Sequence, residues 1–134
     1  MEIKKESYLI TDDKNKIDYE FVVSSLQNTY WAENRDKDSI IKSINNSIFI
    51  SLFKKNEQIG FTRIVTDKSF FAWIADVYIT KEYRGEGLGK WLMNKTIKHQ
   101  SIKDVSIQLL KTKDAHEFYE ELGFEKDKCM VIRN

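Results

Sequence analysis

Residues 71 to 92 constrain this chain more than any other stretch. Phe71-Ala72-Trp73-Ile74-Ala75-Asp76-Val77-Tyr78-Ile79-Thr80 is apolar, aromatic and β-branched, which predicts a buried strand. Leu88, Trp91 and Leu92 stand at i, i+3 and i+4, which predicts a helix. Between them runs Lys81-Glu82-Tyr83-Arg84-Gly85-Glu86-Gly87-Leu88-Gly89. Glycines at alternate positions let the backbone turn sharply and leave no Cβ in the way of a ligand. The N–H groups of such a turn, and of the helical turn it opens, have no internal partners. Beside the positive end of a helix dipole they form an anion site. Arg84 adds a positive charge at its edge. The chemical reading is a cradle for a phosphate or pyrophosphate.

The bulk numbers bound what can surround this unit. A length of 134 residues predicts one domain, residues 1–134, with a single core. Hydrophobic and charged fractions of 41% and 32% are ordinary for a globular protein. A net charge of +1 gives no argument for nucleic acid or an anionic membrane as a partner. No apolar run approaches membrane-spanning length, and Met1 to Glu6 lacks the apolar stretch of a signal peptide. The single Cys129 cannot form an internal disulfide, which suits a reducing cytoplasm. Its apolar neighbours predict a packed thiol. Two histidines and one cysteine form no recognisable metal cluster.

Taken in order, residues 3 to 10 read as a strand. Residues 17 to 30 carry a helical stripe of Ile17, Phe21, Val22, Leu26 and Tyr30. A loop from Tyr30 to Arg35 follows, then a short helix over 37 to 46 with Ile40, Ile41 and Ile44 inward. Residues 47 to 54 and 58 to 66 read as an antiparallel hairpin around Lys55-Asn56-Glu57. Asp67-Lys68-Ser69 turns the chain into the central strand, and a helix spans 87 to 100. Residues 104 to 110 alternate as a strand that should lie parallel to the central one after a helical crossover. Asp114 and Glu117 have the spacing of a capping pair. Ala115, Phe118, Tyr119 and Leu122 share one face of a short helix that ends at Gly123. Lys128 to Ile132 reads as a last strand. The fold class is α/β, with a mixed, mostly antiparallel sheet flanked by helices.

Two familiar phosphate loops fit poorly. A P-loop needs Ser or Thr after Gly-Lys, and Gly89-Lys90 is followed by Trp91. A dinucleotide fingerprint would place its last glycine where Lys90 stands. Arg84-x-x-Gly87-x-Gly89, after a strand and before a helix, resembles instead the acyl-CoA pyrophosphate loop of the GNAT superfamily of N-acetyltransferases. Ala115-x-x-Phe118-Tyr119-Glu120-x-Leu122-Gly123-Phe124 resembles the family's other signature, the helix flanking the acyl-CoA thioester. The two stand in the family's order, with a helix and a strand between them.

The resemblance implies a GNAT-like fold and transfer of an acetyl group from acetyl-CoA to a primary amine, on a small molecule or a peptide. It implies that the coenzyme is held by the backbone of Val77, Tyr78 and Ile79 and by Arg84, Gly85, Glu86, Gly87, Leu88, Gly89 and Lys90. Ala115 and Tyr119 would flank it. Thr112 stands where the family often has a coenzyme-contacting asparagine, and its hydroxyl is shorter. Tyr119 is the candidate acid for the leaving thiolate, although its position alone also suits a core aromatic. Asp76 is the candidate for removing or relaying the amine proton, and burial beside Trp73, Ile74 and Tyr78 would raise its pKa. His116 is a second titratable group nearby. Tyr30, Trp31, Arg35 and Trp73 are candidates for the acceptor wall. Aromatic faces suit a cationic amine and Arg35 an acceptor carboxylate, while Tyr30 and Trp31 equally suit anchors of the helix end. Oligomeric state is not visibly encoded; dimers are common in the family, which leaves a homodimer open. The competing readings are a non-catalytic acyl-CoA-binding module of the same fold and a nucleotide-binding α/β domain.

Overall fold

The computed structural model describes residues 1–134 and places six strands in one sheet in chain order. These are β1 (Glu2–Lys5), β2 (Tyr8–Thr11), β3 (Ile48–Lys54), β4 (Glu57–Thr66), β5 (Phe71–Ile79) and β6 (Ile107–Leu110). Each pairs antiparallel with the next until β5 and β6, which run parallel. Helices α1 (Tyr19–Gln27) and α2 (Lys37–Asn45) precede β3. Helix α3 (Leu88–Ile97) makes the crossover, and α4 (His116–Glu121) follows β6. The expected mixed α/β architecture is present.

Where a single core was expected, the side-chain alternation of the strands separates two, one on each face of the sheet. On one face Ile50, Leu52, Ile64, Ala72 and Ile74 pack with Leu88, Leu92 and Met93 of α3. On the other, Phe49 and Phe61 pack with Val22, Val23 and Leu26 of α1 and with Ile40 and Ile44 of α2. Burying such a side chain contributes about 1.5–3 kcal/mol, against about 0–1 kcal/mol for an exposed ion pair. The two cores therefore hold the helices on the sheet. Asp18 caps α1 by accepting from the Phe21 N–H at 3.1 Å, and Asp36 caps α2 by accepting from the Ser39 N–H at 2.8 Å.

The β4–β5 pair carries the geometry that matters for a site. Pairing runs from Thr66↔Ala72 to Arg63↔Ala75, then resumes at Phe61↔Tyr78. Asp76 and Val77 together therefore oppose Thr62, which is a β-bulge. Asp76 adopts φ +55, a left-handed conformation uncommon for a residue with a side chain. Next to the bulge the strands approach closely: a Cβ on Gly60 would lie 2.8 Å from the Tyr78 carbonyl oxygen and 2.9 Å from Ile79 Cδ1. On its other side β5 pairs with β6 only from Phe71 to Ile74, so no strand pairs there with Ala75 to Ile79.

Several expectations are corrected. The run 3 to 10 is a hairpin of two strands, because Glu6 turns the chain at φ +56 and Lys5 pairs with Tyr8. Ile41 is only half-buried, since the inward stripe of α2 follows Ile40 and Ile44. Residues 104 to 106 stay outside β6, which starts at Ile107. Lys128 to Ile132 forms no strand, and Met130 and Ile132 are 99% and 96% exposed. A β-prone run becomes a strand only where a neighbouring edge pairs its N–H and C=O groups, and this run joins no ladder. Cys129 in the same tail is exposed, not packed.

Candidate functional site

The glycine turn opens α3 as its composition requires. Gly85 and Gly87 adopt φ +85 and +81, and Gly87 sits at the N-cap of α3 with no side chain capping the helix. The amides of Gly85 through Lys90 consequently donate to no protein acceptor. One expected donor drops out of this set: the Arg84 N–H is taken by the Lys81 carbonyl at 3.2 Å. The Arg84 guanidinium folds back instead, donating from Nε to the Ile79 carbonyl at 2.7 Å and lying 5.4 Å above the Tyr78 ring. Glu86 is exposed, and Lys90 reaches Glu121 of α4 at 3.5 Å.

Gly89 joins three elements. A Cβ there would lie 3.6 Å from the Phe118 ring of α4 and 3.8 Å from Ile79 Cγ1 of β5. The first turn of α3 and the helix α4 thus stand together beside the end of β5, where Val77, Tyr78 and Ile79 have no strand on the β6 side. The expected coenzyme-binding segments are brought to one place.

Helix α4 is positioned differently at its two ends. The expected cap from Asp114 is absent; Ala115 occupies the N-cap without a side-chain bond. Thr112 Oγ1 accepts from the Ala115 N–H at 3.1 Å, so Thr112 organises the turn into α4. At the other end the Phe124 and Gly123 N–H groups donate to the Tyr119 and Glu120 carbonyls at 3.1 and 3.0 Å, the Schellman pattern. Tyr119 packs edge-on to Phe118 and Phe124. Its hydroxyl makes no hydrogen bond to the protein. Burial pushes its pKa up to about 12, with a smaller contribution from Tyr30. Tyr119 is therefore a neutral phenol throughout the physiological range. His116 begins α4, half-buried and without a hydrogen-bonded side-chain partner.

On the other side of the site, Tyr30 and Trp31 are 56% and 41% exposed, which removes the reading that they anchor the core. Their rings meet edge-to-face at 5.2 Å, and Lys113 Nζ lies 5.4 Å from the Tyr30 ring. Trp73 is half-buried and pairs with Val65 on the same sheet face as Ala75 and Arg63.

Asp76 is the hub of a charged cluster with Arg35 and Arg63. Its side chain is 2% exposed, and Arg35 Nη1 donates to both its oxygens at 3.0 and 2.9 Å. Arg63 Nε donates to Oδ2 at 3.0 Å, and Arg63 Nη1 to Ser47 Oγ at 3.1 Å. The bulge makes this possible by turning the Asp76 side chain toward Arg63, whose own partner across the strands is Ala75. Arg63 is a member of this cluster that the motifs do not point to. A lone charge in a mostly apolar strand, Ile59 to Val65, is the signal that could have found it.

The comparisons fall on this geometry. The Acetyltransferase (GNAT) domain matches residues 45–126, which run from the end of α2 past α4. The chain belongs to the GNAT acetyltransferase family. Among the relatives of this GNAT domain, the uncharacterised N-acetyltransferase ycf52 of Porphyra purpurea is 38% identical over 102 residues, covering 72% of the chain and 59% of ycf52. The GCN5-related N-acetyltransferase 2, chloroplastic, of Arabidopsis thaliana is 37% identical over 75 residues, 55% of the chain and 29% of that protein. The GNAT chain spans between 45% and 59% of the length of the ycf52 proteins it matches. A crystal structure of a GNAT-family protein from Xanthomonas campestris pv. campestris superposes with a TM-score of 0.86 at 27% identity, covering 90% of this chain and 85% of that one.

A second polar cluster lies apart from the GNAT motifs. Buried His99, after α3, shares 2.8 Å with Asp12 through Nε2 and accepts the Ser101 N–H at Nδ1. The N-terminal ammonium donates to the other Asp12 oxygen at 2.9 Å. Burial alone would raise the Asp12 carboxyl, but these hydrogen bonds outweigh it and hold it below the usual range. This cluster fastens β2 to the end of α3.

Proposed function

We propose that residues 1–134 form one N-acetyltransferase domain that moves an acetyl group from acetyl-CoA to the primary amine of a small molecule or peptide. The observation that carries this reading is the run of unpartnered amides from Gly85 to Lys90 beside the unpaired end of β5. A Cβ on Gly85 or Gly87 would meet nothing within 4 Å, so no other part of the protein crowds the turn at these two positions. Such a nest at a helix N-terminus suits a pyrophosphate, and the free strand edge at Val77 to Ile79 suits the amides of a pantetheine arm. Ala115 and Thr112, in the turn into α4, would flank the coenzyme by the family resemblance.

Acetyl-CoA supplies the activated acyl group, whose carbon–sulfur bond breaks as the amine nitrogen bonds to the acyl carbon. Tyr119 offers a hydroxyl proton to the leaving sulfur. With a pKa of about 12, full transfer to a thiolate of ordinary pKa near 8.5 runs uphill by about 5 kcal/mol. Tyr119 therefore acts as a strong hydrogen-bond donor to developing charge rather than as a complete acid. Asp76 remains the candidate on the acceptor side. Both its oxygens accept from guanidiniums, so it would serve by ordering a relay water rather than by touching the nitrogen. Replacement by Asn tests this: an unchanged pH–rate profile removes Asp76 from proton transfer.

The first experiment is calorimetric titration with acetyl-CoA, with ATP and NAD as controls. Binding of acetyl-CoA alone supports the donor site and leads to a panel of amines read by mass spectrometry. A folded protein that ignores acetyl-CoA refutes the proposal. For location we propose the cytoplasm, where the exposed Cys129 stays reduced. No helix is long and apolar enough to cross a membrane.

A further inference from the structure

We infer that the acceptor is an amine that also bears a carboxylate, and that the outer edge of Arg35 receives it. The inference rests on the acetyltransferase reading and narrows its substrate class. A guanidinium carries five N–H donors in a rigid fork. Arg35 directs only Nη1 inward, to both oxygens of Asp76; Nε and Nη2 donate to no protein group. The side chain is 36% exposed although its partner is 2% exposed, so the unused edge meets solvent. The backbone behind it is also fixed: the Arg35 N–H donates to the Ala32 carbonyl at 3.1 Å, and its carbonyl accepts from Gln27 Nε2 at 3.1 Å. The free edge is thus held still, at the width that matches a carboxylate.

Charge points the same way. Two arginines share one aspartate, which leaves this cluster a formal +1. Arg63 donates to Asp76 and Ser47 and lies deeper, 15% exposed against 36%, so the surplus charge is presented to solvent by Arg35. Of the carboxylates adjacent in sequence, Asp36 is engaged in capping α2 through Ser39, and Glu33 is exposed and makes no ion pair. The surplus cation at Arg35 favours an amine with an anionic group a few bonds away over a polyamine or an amino sugar.

The test uses acetylated products as unreactive probes, titrated onto the full chain saturated with CoA. N-acetyl-L-phenylalanine is compared with its amide, N-acetylglycine with its amide, and both acids with N-acetylspermidine. The acids should bind at least about tenfold more tightly than their amides. Arg35→Gln should erase the difference. Arg35→Lys should melt close to the wild type, since its ammonium still pairs with Asp76, yet lose the preference because a compact ammonium held on Asp76 has no second planar N–H edge to match another carboxylate. Equal affinities within each pair, tighter binding of N-acetylspermidine, or a preference that survives in Arg35→Lys overturns the inference. So does a protein that binds CoA but none of the probes. A protein that does not bind CoA overturns the acetyltransferase reading, and this inference with it.

Discussion

Replacing Asp76 by Asn isolates the charge at the centre of the acceptor side. Asn has nearly the same shape and also tolerates positive φ, so the backbone at φ +55 is not newly strained. What is lost is one negative charge, 2% exposed, between two guanidiniums. Removing one partner of a buried ion pair costs about 3–5 kcal/mol, because the remaining charge is left uncompensated. Arg63, at 15% exposure, bears that cost in full, whereas water reaches Arg35 at 36%. The lower end, about 3 kcal/mol, is therefore expected, equivalent to a fall of about 10 °C in the unfolding midpoint for a chain of this size. Urea unfolding followed by tryptophan fluorescence measures it, with an unchanged denaturant slope confirming that the same folded state is compared. Arg63→Met combined with Asp76→Asn should recover at least about 1.5 kcal/mol relative to additivity. A loss below about 0.5 kcal/mol, or strict additivity with Arg63→Met, would refute the claim that Asp76 is the hub.

Three further outcomes follow from the geometry. Gly60→Ala drives a Cβ to 2.8 Å from a backbone oxygen that cannot rotate away, and should destabilise by about 2–3 kcal/mol in the same unfolding assay; wild-type stability would mean that β4 and β5 separate freely. Tyr119→Phe should leave stability at pH 7 nearly unchanged, because the hydroxyl has no hydrogen-bonded partner in the protein, while lowering kcat. Ultraviolet titration of the wild type should show one tyrosine ionising near pH 12. Since the folded pKa lies above the unfolded value, stability is intact below about pH 10 and falls between about 10 and 12, a loss the Phe variant should lack. Asp12→Asn should cost about 1 kcal/mol at pH 7. Because folding depresses that carboxyl, the difference between variant and wild type should persist above about pH 4 and close as pH falls through the depressed pKa; a gap independent of pH would assign the effect to packing.

What could be read from the sequence is what depends on near neighbours. Gly85 and Gly87 were legible because a strand, a turn and a helix succeed one another within residues 71–92, and the turn's amides are orphaned by helix geometry alone. Tyr119 was legible because Phe118, Leu122 and Gly123 fix both the face and the end of its helix. The cap of α4 is not legible because Asp114 and Thr112 compete for one short turn, and sequence spacing alone cannot say which side chain reaches the Ala115 amide. The tail was misread because composition signals β-propensity but not the presence of a partner edge.

The charge network was illegible for a deeper reason. Arg35, Arg63 and Asp76 meet across separations of 41 and 13 residues. The meeting also needs a bulge that a strand-like sequence does not announce. Without the extra residue opposite Thr62, strict alternation would send the side chains at Ala75 and Asp76 to opposite faces, and Asp76 would turn away from Arg63. The bulge thus does two things with one distorted residue. It turns a carboxylate under the loop that carries Arg35, and it does so just where β5 leaves β6 and its backbone edge becomes free. On the reading proposed above, the acceptor's anchoring charge and the donor's strand edge are coupled through Asp76. A variant that straightens the bulge, such as deletion of Val77, should therefore weaken acetyl-CoA binding and carboxylate preference together. Loss of only one of them in a folded protein would show that the two halves of the site are built independently.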